Sequence, residues 1–256
     1  MSIFNKALAS IGIGSARVDT RLEETKVSPG GKINGVVHIY GGSLEQDIDE
    51  IYLSIHTTYV KEANDKKYSA SAVVDSFRIN SPITIKPSQT KEIPFSFMLP
   101  ADVPITIGRT KIWVTTGLDI KNAVDPTDKD YLQVVPNPLM EAVLNEVENL
   151  GFRLREADCE QAPYKLRRRL PFVQEFEFVP VMGAYRGKLD ELELIFAPLS
   201  AAEMQILLQV DRRARGLGGL LAEAMQMDES NVSLTVSTKD IPQLKQKLKS
   251  VIDRYC

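Results

Sequence analysis

The chain has 256 residues, of which 43% are hydrophobic and 25% are charged, and these values are typical of a globular protein with one or two domains. Its net charge of −3 provides no general attraction to nucleic acid, so we expect no nucleic-acid partner. No apolar run approaches the length of a membrane-spanning helix, and the first residues do not have the pattern of a signal peptide, so we expect a cytoplasmic protein without a membrane partner.

The first half of the sequence has the period-two alternation of β-strands. Apolar residues alternate with polar ones in runs around residues 33–40, 51–60, 93–99 and 112–120. Turn-forming pairs and clusters rich in Gly, Pro and Ser separate these runs. Six or seven short strands at this spacing predict a β-sandwich domain over residues 1–135.

A helix is predicted between two β-rich halves, over residues 136–151. Asn137 can cap it, and Pro138 at the first helical position loses no hydrogen bond. Five apolar residues fall on one stripe, and Gly151 suits a left-handed helix end. The stiff Pro136-Asn137-Pro138 segment favours a restricted hinge over a floppy tether.

The second half predicts another β-sandwich, over residues 152–237, with a helical insertion at about residues 211–230. Residues 238–256 then predict a C-terminal helix, in which Leu244, Leu248, Val251 and Ile252 lie on one stripe. This apolar stripe has two interpretations: the helix packs on its own chain, or it binds a partner protein. In the second case, exchange of the helix between two copies would give a homodimer.

Several segments together resemble the sporulation-control protein family. The segments are ARVDT at 16–20, PGG at 29–31, PNP at 136–138, NLGF at 149–152, QEFEF at 174–178, RGKLDELE at 186–193 and DRRARGLGG at 211–219. The family is similar in architecture to arrestins. The resemblance therefore implies a mainly β protein with two arrestin-like β-sandwich domains, a linker helix and a C-terminal helix, and it implies a regulatory role exerted through protein–protein contacts.

The resemblance also implies a network of charged side chains near the seam between the two domains. The candidates for this interdomain polar network are Arg17, Asp19, Arg21, Asp119, Asp125 and Asp128. Removing one partner of a buried ion pair costs about 3–5 kcal/mol, so such a network can act as a switch.

Arg212, Arg213 and Arg215 form a second candidate site, for an anion or an acidic partner. They precede three glycines whose backbone N–H groups are free to surround an anion.

Candidate catalytic, cofactor and metal sites are absent from the pattern. His38 and His56 have no further ligand at metal spacing. Glu191 and Glu193 share a strand face like a pair of catalytic carboxylates, but their alternation with leucines predicts a solvated sheet face. The acidic neighbours of Cys159 are expected to raise its thiol pKa.

These observations predict a non-enzymatic, arrestin-like regulatory adaptor that acts in control of sporulation or a related cell programme. Its partners would be regulatory or cytoskeletal proteins, bound through an open sheet edge, the tail helix or the 211–230 insertion. The alternative is a module that binds a small or lipid-like ligand. An adaptor should show an open edge or an exposed apolar patch, whereas a ligand module should show an apolar pocket of several hundred cubic ångströms.

Overall fold

The alternating runs of the first half form strands in two sheets. The structure is a computed structural model, and it describes residues 14–63, 66–79, 82–121, 124–211 and 231–255. The strands are β1 (Arg17–Leu22), β2 (Lys26–Val27), β3 (Lys32–Tyr40), β4 (Gln46–Ala63), β5 (Lys66–Arg78), β6 (Ile83–Ile85), β7 (Thr90–Met98), β8 (Ile112–Ile120) and β9 (Thr127–Val134). One sheet has the order β1-β3-β7, and its apolar side chains face those of the larger sheet. The predicted alternation is therefore a packing pattern, with Val37 and Ile39 fully buried on β3.

The 18-residue strand β4 connects much of the larger sheet. It pairs with β5, β6 and β8, and a parallel bridge between Val60 and Glu160 joins it to the second half of the chain. The larger sheet therefore continues from the first half into the second, which fixes the two halves in one hydrogen-bonded arrangement.

The predicted linker helix is present as α1 (Pro138–Asn149). Asn137 Oδ1 accepts hydrogen bonds from the backbone N–H groups of Leu139 (3.1 Å) and Met140 (2.9 Å), as expected for a cap. Gly151 has a φ of +100°, and a Cβ there would lie 2.3 Å from the carbonyl oxygen of Met182. Only glycine fits this helix end without strain.

The second half contains β10 (Phe152–Gln161), β11 (Phe172–Pro180), β12 (Glu191–Pro198), β13 (Glu203–Asp211) and β14 (Asn231–Ser237). These five strands pair in sequence, each antiparallel to the next, and we call this part of the larger sheet the second sheet. The mainly β fold with a linker helix and a C-terminal helix is confirmed, whereas the predicted division into domains stays a prediction. The insertion predicted at about 211–230 lies outside the described residues, apart from Asp211.

The last described elements are a 3-10 helix (Thr238–Gln243), α2 (Leu244–Ile252) and a second 3-10 helix (Asp253–Tyr255). Asp240 accepts hydrogen bonds from the backbone N–H (2.8 Å) and the hydroxyl (2.9 Å) of Ser237, which caps the start of the helix at Thr238. α2 packs against α1, and its apolar stripe is part of the hydrophobic core. Across the described ranges, no helix is long and apolar enough to span a membrane.

Candidate functional site

The candidates for the interdomain polar network make their contacts within the first half. Arg21 pairs with Asp19 at 3.2 Å on the surface, and Arg17 lies over the ring of Tyr40. Asp128 and Asp125 accept backbone hydrogen bonds from Thr20 (2.6 Å) and Ile120 (3.0 Å), and Asp119 is exposed. An interdomain role for these six residues stays a prediction.

Arg109 makes a contact between the halves that the sequence analysis missed. It follows the turn at Gly108 and reaches β10, where its Nε lies 3.1 Å from Asp158 Oδ2 and its Nη2 lies 2.6 Å from Glu156 Oε1. Burial would raise the pKa of Asp158, but hydrogen bonds from Arg109 and Glu156 outweigh it and lower that pKa. Hydrogen bonding to Asp158, followed by burial, raises the pKa of Glu156. The two carboxyl groups thus share one cation.

Arg169 makes a second contact across the same seam. Its Nε and Nη2 donate to the two carboxylate oxygens of Asp102 at 3.0 Å and 2.5 Å, and its Nη1 donates to the carbonyl oxygen of Val74. Gln174 lies nearby and exchanges two hydrogen bonds, of 2.8 Å and 2.9 Å, with the backbone of Ile105. Bidentate geometry on both residues fixes the orientation of the halves as well as holding them together.

The outer face of the second sheet, defined by Glu175, Glu177, Glu191, Glu193 and Gln209, is buried. Their exposed fractions are 1–3%, so the prediction that Glu191 and Glu193 lie on a solvated face is wrong. The strand register places Glu177, Glu193 and Gln209 side by side on three strands. Strand alternation shows that residues share a face, but it does not show whether another part of the chain covers that face. The prediction of a solvated face failed for this reason.

Burial and one cation, Arg155, decide which carboxyl groups of this face are ionised within the described residues. Arg155 pairs with Glu177 and, at 2.6 Å, with Glu191. Burial, with hydrogen bonding to Glu191, raises the pKa of Glu193 to about 11, and burial raises that of Glu175 to about 7. Glu193 is therefore protonated at neutral pH and can donate a hydrogen bond to a neighbouring carboxylate. Within the described ranges, no group of His, Cys, Asp or Glu side chains is arranged to hold a metal ion.

Cys159 lies beside this region and is buried. Burial raises the pKa of its thiol to about 12, and the negative charge of Asp158 adds to the shift. The predicted direction is confirmed, although burial contributes more than the acidic neighbour. A thiol that stays protonated is a poor nucleophile, so Cys159 is not a candidate catalytic residue.

A cavity of about 450 Å³ lies between the two halves. Its walls come from the loop at residues 101–104, from Met140 of α1, from the loop at residues 165–170 and from β11, β12 and β13. Most of the lining is apolar, and this is the kind of feature that the alternative of a ligand-binding module requires.

Strand β14 is an open sheet edge, since within the described ranges it pairs with β13 alone. Other long edge strands carry charges or proline, which discourage pairing with a further strand: β1 has Arg and Asp, β5 has Lys and Asp, and β7 has Lys91, Glu92 and Pro94. The sequence of β14 is NVSLTVS, without charge or proline. Its side chains at Ser233 and Thr235 are exposed.

The remaining predicted sites are placed as follows. Leu244, Leu248, Val251 and Ile252 are at most 6% exposed, so the stripe of the proposed partner helix is covered by its own chain. Exchange into a homodimer would require this helix to leave that position. Arg212, Arg213 and Arg215 lie outside the described residues. His56 stacks on Trp113, and His38 lies 3.5 Å from Glu92.

Comparison with known proteins agrees with the fold and the resemblance. A family model described as SpoOM protein matches residues 4–214. The sporulation-control protein spo0M of Bacillus subtilis (strain 168) is 47% identical, over 100% of this chain and 99% of its own length. The crystal structure of Spo0M, sporulation control protein, from Bacillus subtilis is 46% identical, covers 95% of this chain and 100% of its own, and superposes with a TM-score of 0.89.

Proposed function

The chain belongs to the SpoOM protein family, and from this premise we propose that it is a non-catalytic regulatory adaptor in the control of sporulation or a related cell programme. Its relative of 47% identity is named a sporulation-control protein, and this name supports the biological setting. The arrestin-like manner of action, through contacts with regulatory or cytoskeletal proteins, is the mechanistic part of the proposal.

The open edge at β14 is the observation that carries the adaptor mechanism. An extended partner segment can add to such an edge through main-chain hydrogen bonds, with side chains that alternate between its two faces. An unprotected edge promotes aggregation, so we attribute the lack of charge and proline on β14 to a function in binding a partner strand. Among the described strands, the long edges β1, β5 and β7 carry those protective residues.

The seam supports the same proposal by fixing the two halves in one arrangement. Arg109 and Arg169 each reach across it to carboxylates, and a parallel bridge links β4 to β10. A protein built in this way presents its partner-binding edge in a constant orientation, which is what an adaptor that brings other proteins together requires.

Partner capture from native cell extract tests the proposal. We expect the full chain to retain defined proteins after cross-linking and Thr235→Lys to lose them, since a lysine on an edge strand opposes strand addition. Ser96→Lys on the protected edge β7 is the matched control, and we expect it to retain the same proteins. Equal recovery by all three forms would mean that β14 is not the binding edge. Truncation of the tail is a poorer test, because it removes the buried stripe of α2 and threatens the fold.

A further inference from the structure

The cavity between the halves has the dimensions and the walls of a ligand site. Its volume of about 450 Å³ lies within the range of roughly 300–1,000 Å³ that is usual for small-molecule pockets. The apolar side chains that form the wall are Met140, Leu170, Phe172, Phe176, Phe196 and Met204. Such a wall favours a ligand whose larger part is hydrocarbon.

Positive charge is concentrated at the exposed side of this cavity. Apart from Ala101, the exposed members of the lining are Lys165, Arg168 and Arg169. Asp102 is the one carboxylate among the lining residues, and Arg169 already pairs with it. Arg168 therefore remains at the cavity as a cation that this carboxylate does not balance.

Arg168 is held in position to receive an anion. Its Nη2 donates to Gln205 Oε1 of β13 at 2.8 Å, and within the described ranges it forms no ion pair. A neutral amide orients the guanidinium without cancelling its charge, so its other N–H groups keep their capacity for a charge-assisted hydrogen bond.

We propose that this cavity binds a monoanionic amphiphile of the fatty-acid class, with the hydrocarbon tail against the apolar wall and the carboxylate at Arg168. The apolar wall accounts for the tail, and the guanidinium of Arg168, which forms no ion pair within the described ranges, accounts for the head group. A dianionic or strongly polar ligand would leave the wall without a matching surface. The site goes beyond the adaptor role, which requires no ligand.

Occupancy of the site would tighten the seam. The ligand would touch Val103 of the first half, Met140 of the linker helix and Phe196 of the second half at once. A ligand that binds the folded arrangement alone stabilises it in proportion to its concentration over its Kd. The site therefore gives a small amphiphile a means to control how firmly the halves are joined.

Calorimetric titration of the full chain with decanoate, and with decanol as the neutral analogue, tests the head group. We expect saturable binding of one decanoate, and about tenfold weaker binding to Arg168→Gln, because one charged hydrogen bond is lost. Decanol should bind the parent and Arg168→Gln equally. Arg167→Gln, an exposed neighbour outside the lining, should bind decanoate as the parent does. Equal affinity of the parent for decanoate and decanol would overturn the assigned head group.

Ala101→Trp tests the cavity itself. Ala101 is exposed at the cavity, so a tryptophan there fills the entrance without entering the core. We expect this variant to keep the parent's melting temperature without ligand and to lose both titrations, while partner capture through β14 persists. Decanoate binding that survives in Ala101→Trp, or no saturable binding by the parent, would overturn the site without affecting the adaptor proposal. Adsorption to phosphatidylglycerol vesicles that Ala101→Trp leaves unchanged would indicate surface binding and equally contradict the site.

Discussion

Where strands β11, β12 and β13 carry Glu175, Glu177, Glu191, Glu193 and Gln209, both faces of the second sheet are buried, but they are built from opposite chemistry. On the inner face, Phe176, Phe178 and Leu194 belong to the same apolar core as the buried residues of α1 and α2. On the outer face, carboxylates such as Glu177 and Glu193 are only 2% exposed. The inner face therefore stabilises the fold by hydrophobic burial. On the outer face, Arg155 and retained protons offset the cost of burying carboxyl groups.

This difference shows that burial alone does not define a core. Replacing a buried ion pair by apolar groups of similar volume is often neutral or stabilising, so the carboxylates are poor candidates for pure structural support. Few combinations of ionised and protonated carboxyl groups are possible on this buried face. Glu156 and Asp158, which pair with Arg109, connect the face to the seam.

Leu248→Ala breaks the apolar side of the comparison and should have the largest effect. Leu248 is fully buried, so its truncation leaves a cavity in the core under α2. We expect the free energy of unfolding to fall by about 2–5 kcal/mol in urea denaturation. The exposed Lys245→Ala on the same helix should change it by less than about 0.5 kcal/mol. Similar small losses for both would mean that the helix is not docked as described.

Arg155→Ala breaks the polar side by leaving Glu177 and Glu191 without their cation. We expect a loss of about 2 kcal/mol, below the cost of breaking a fully buried pair because the Arg155 side chain is 41% exposed. Adding Glu177→Gln to this variant should recover part of the loss, since one uncompensated carboxylate is removed. A double variant less stable than Arg155→Ala would contradict the assignment of charge strain to this face.

Glu193→Gln sharpens the comparison through pH. Because the folded pKa is raised above that of the unfolded chain, the folded state holds a proton that unfolding releases, and stability falls as pH rises from about 5 toward 11. One such group contributes a slope of up to about 1.4 kcal/mol per pH unit.

Glutamine keeps the neutral hydrogen-bonding form and removes this ionisation. We expect Glu193→Gln to resemble the parent near pH 5 and to be the more stable protein at pH 8.5, with a flatter profile in urea titrations. Glu141→Gln, on the exposed face of α1, should reproduce the parent's profile. Parallel profiles for the parent and Glu193→Gln would mean that Glu193 ionises freely.

Arg109→Ala should have the smallest effect of the series. Its side chain is 69% exposed, so solvent screens the pairing with Asp158 and Glu156, and we expect a loss of about 1 kcal/mol. Arg21→Ala removes an exposed ion pair within the first half and should cost less. If the Arg109 contact holds the two halves together, cross-linking between them changes in Arg109→Ala and not in Arg21→Ala.

Local signals in the sequence were enough to predict the linker helix, the C-terminal helix and most of the described strands. Asn137 caps α1 as expected, and the alternation around residues 33–40 and 112–120 matches β3 and β8. The polar parts of the structure were harder to predict because their outcome depends on contacts distant in the sequence. Nothing near Arg109 or Arg169 indicates which carboxylate each will meet, and the leucines beside Glu193 are equally compatible with a solvated or a covered face.

A photo-cross-linking amino acid at position 235, compared with the same probe at position 96, tests the adaptor mechanism most directly. Both positions are exposed on edge strands, but β7 is protected by charge and proline whereas β14 is not. In the native cell we predict defined cross-linked proteins from position 235 and none from position 96. Identical products from both positions, or none from position 235, would contradict the central claim that β14 is the edge through which this protein binds its partners.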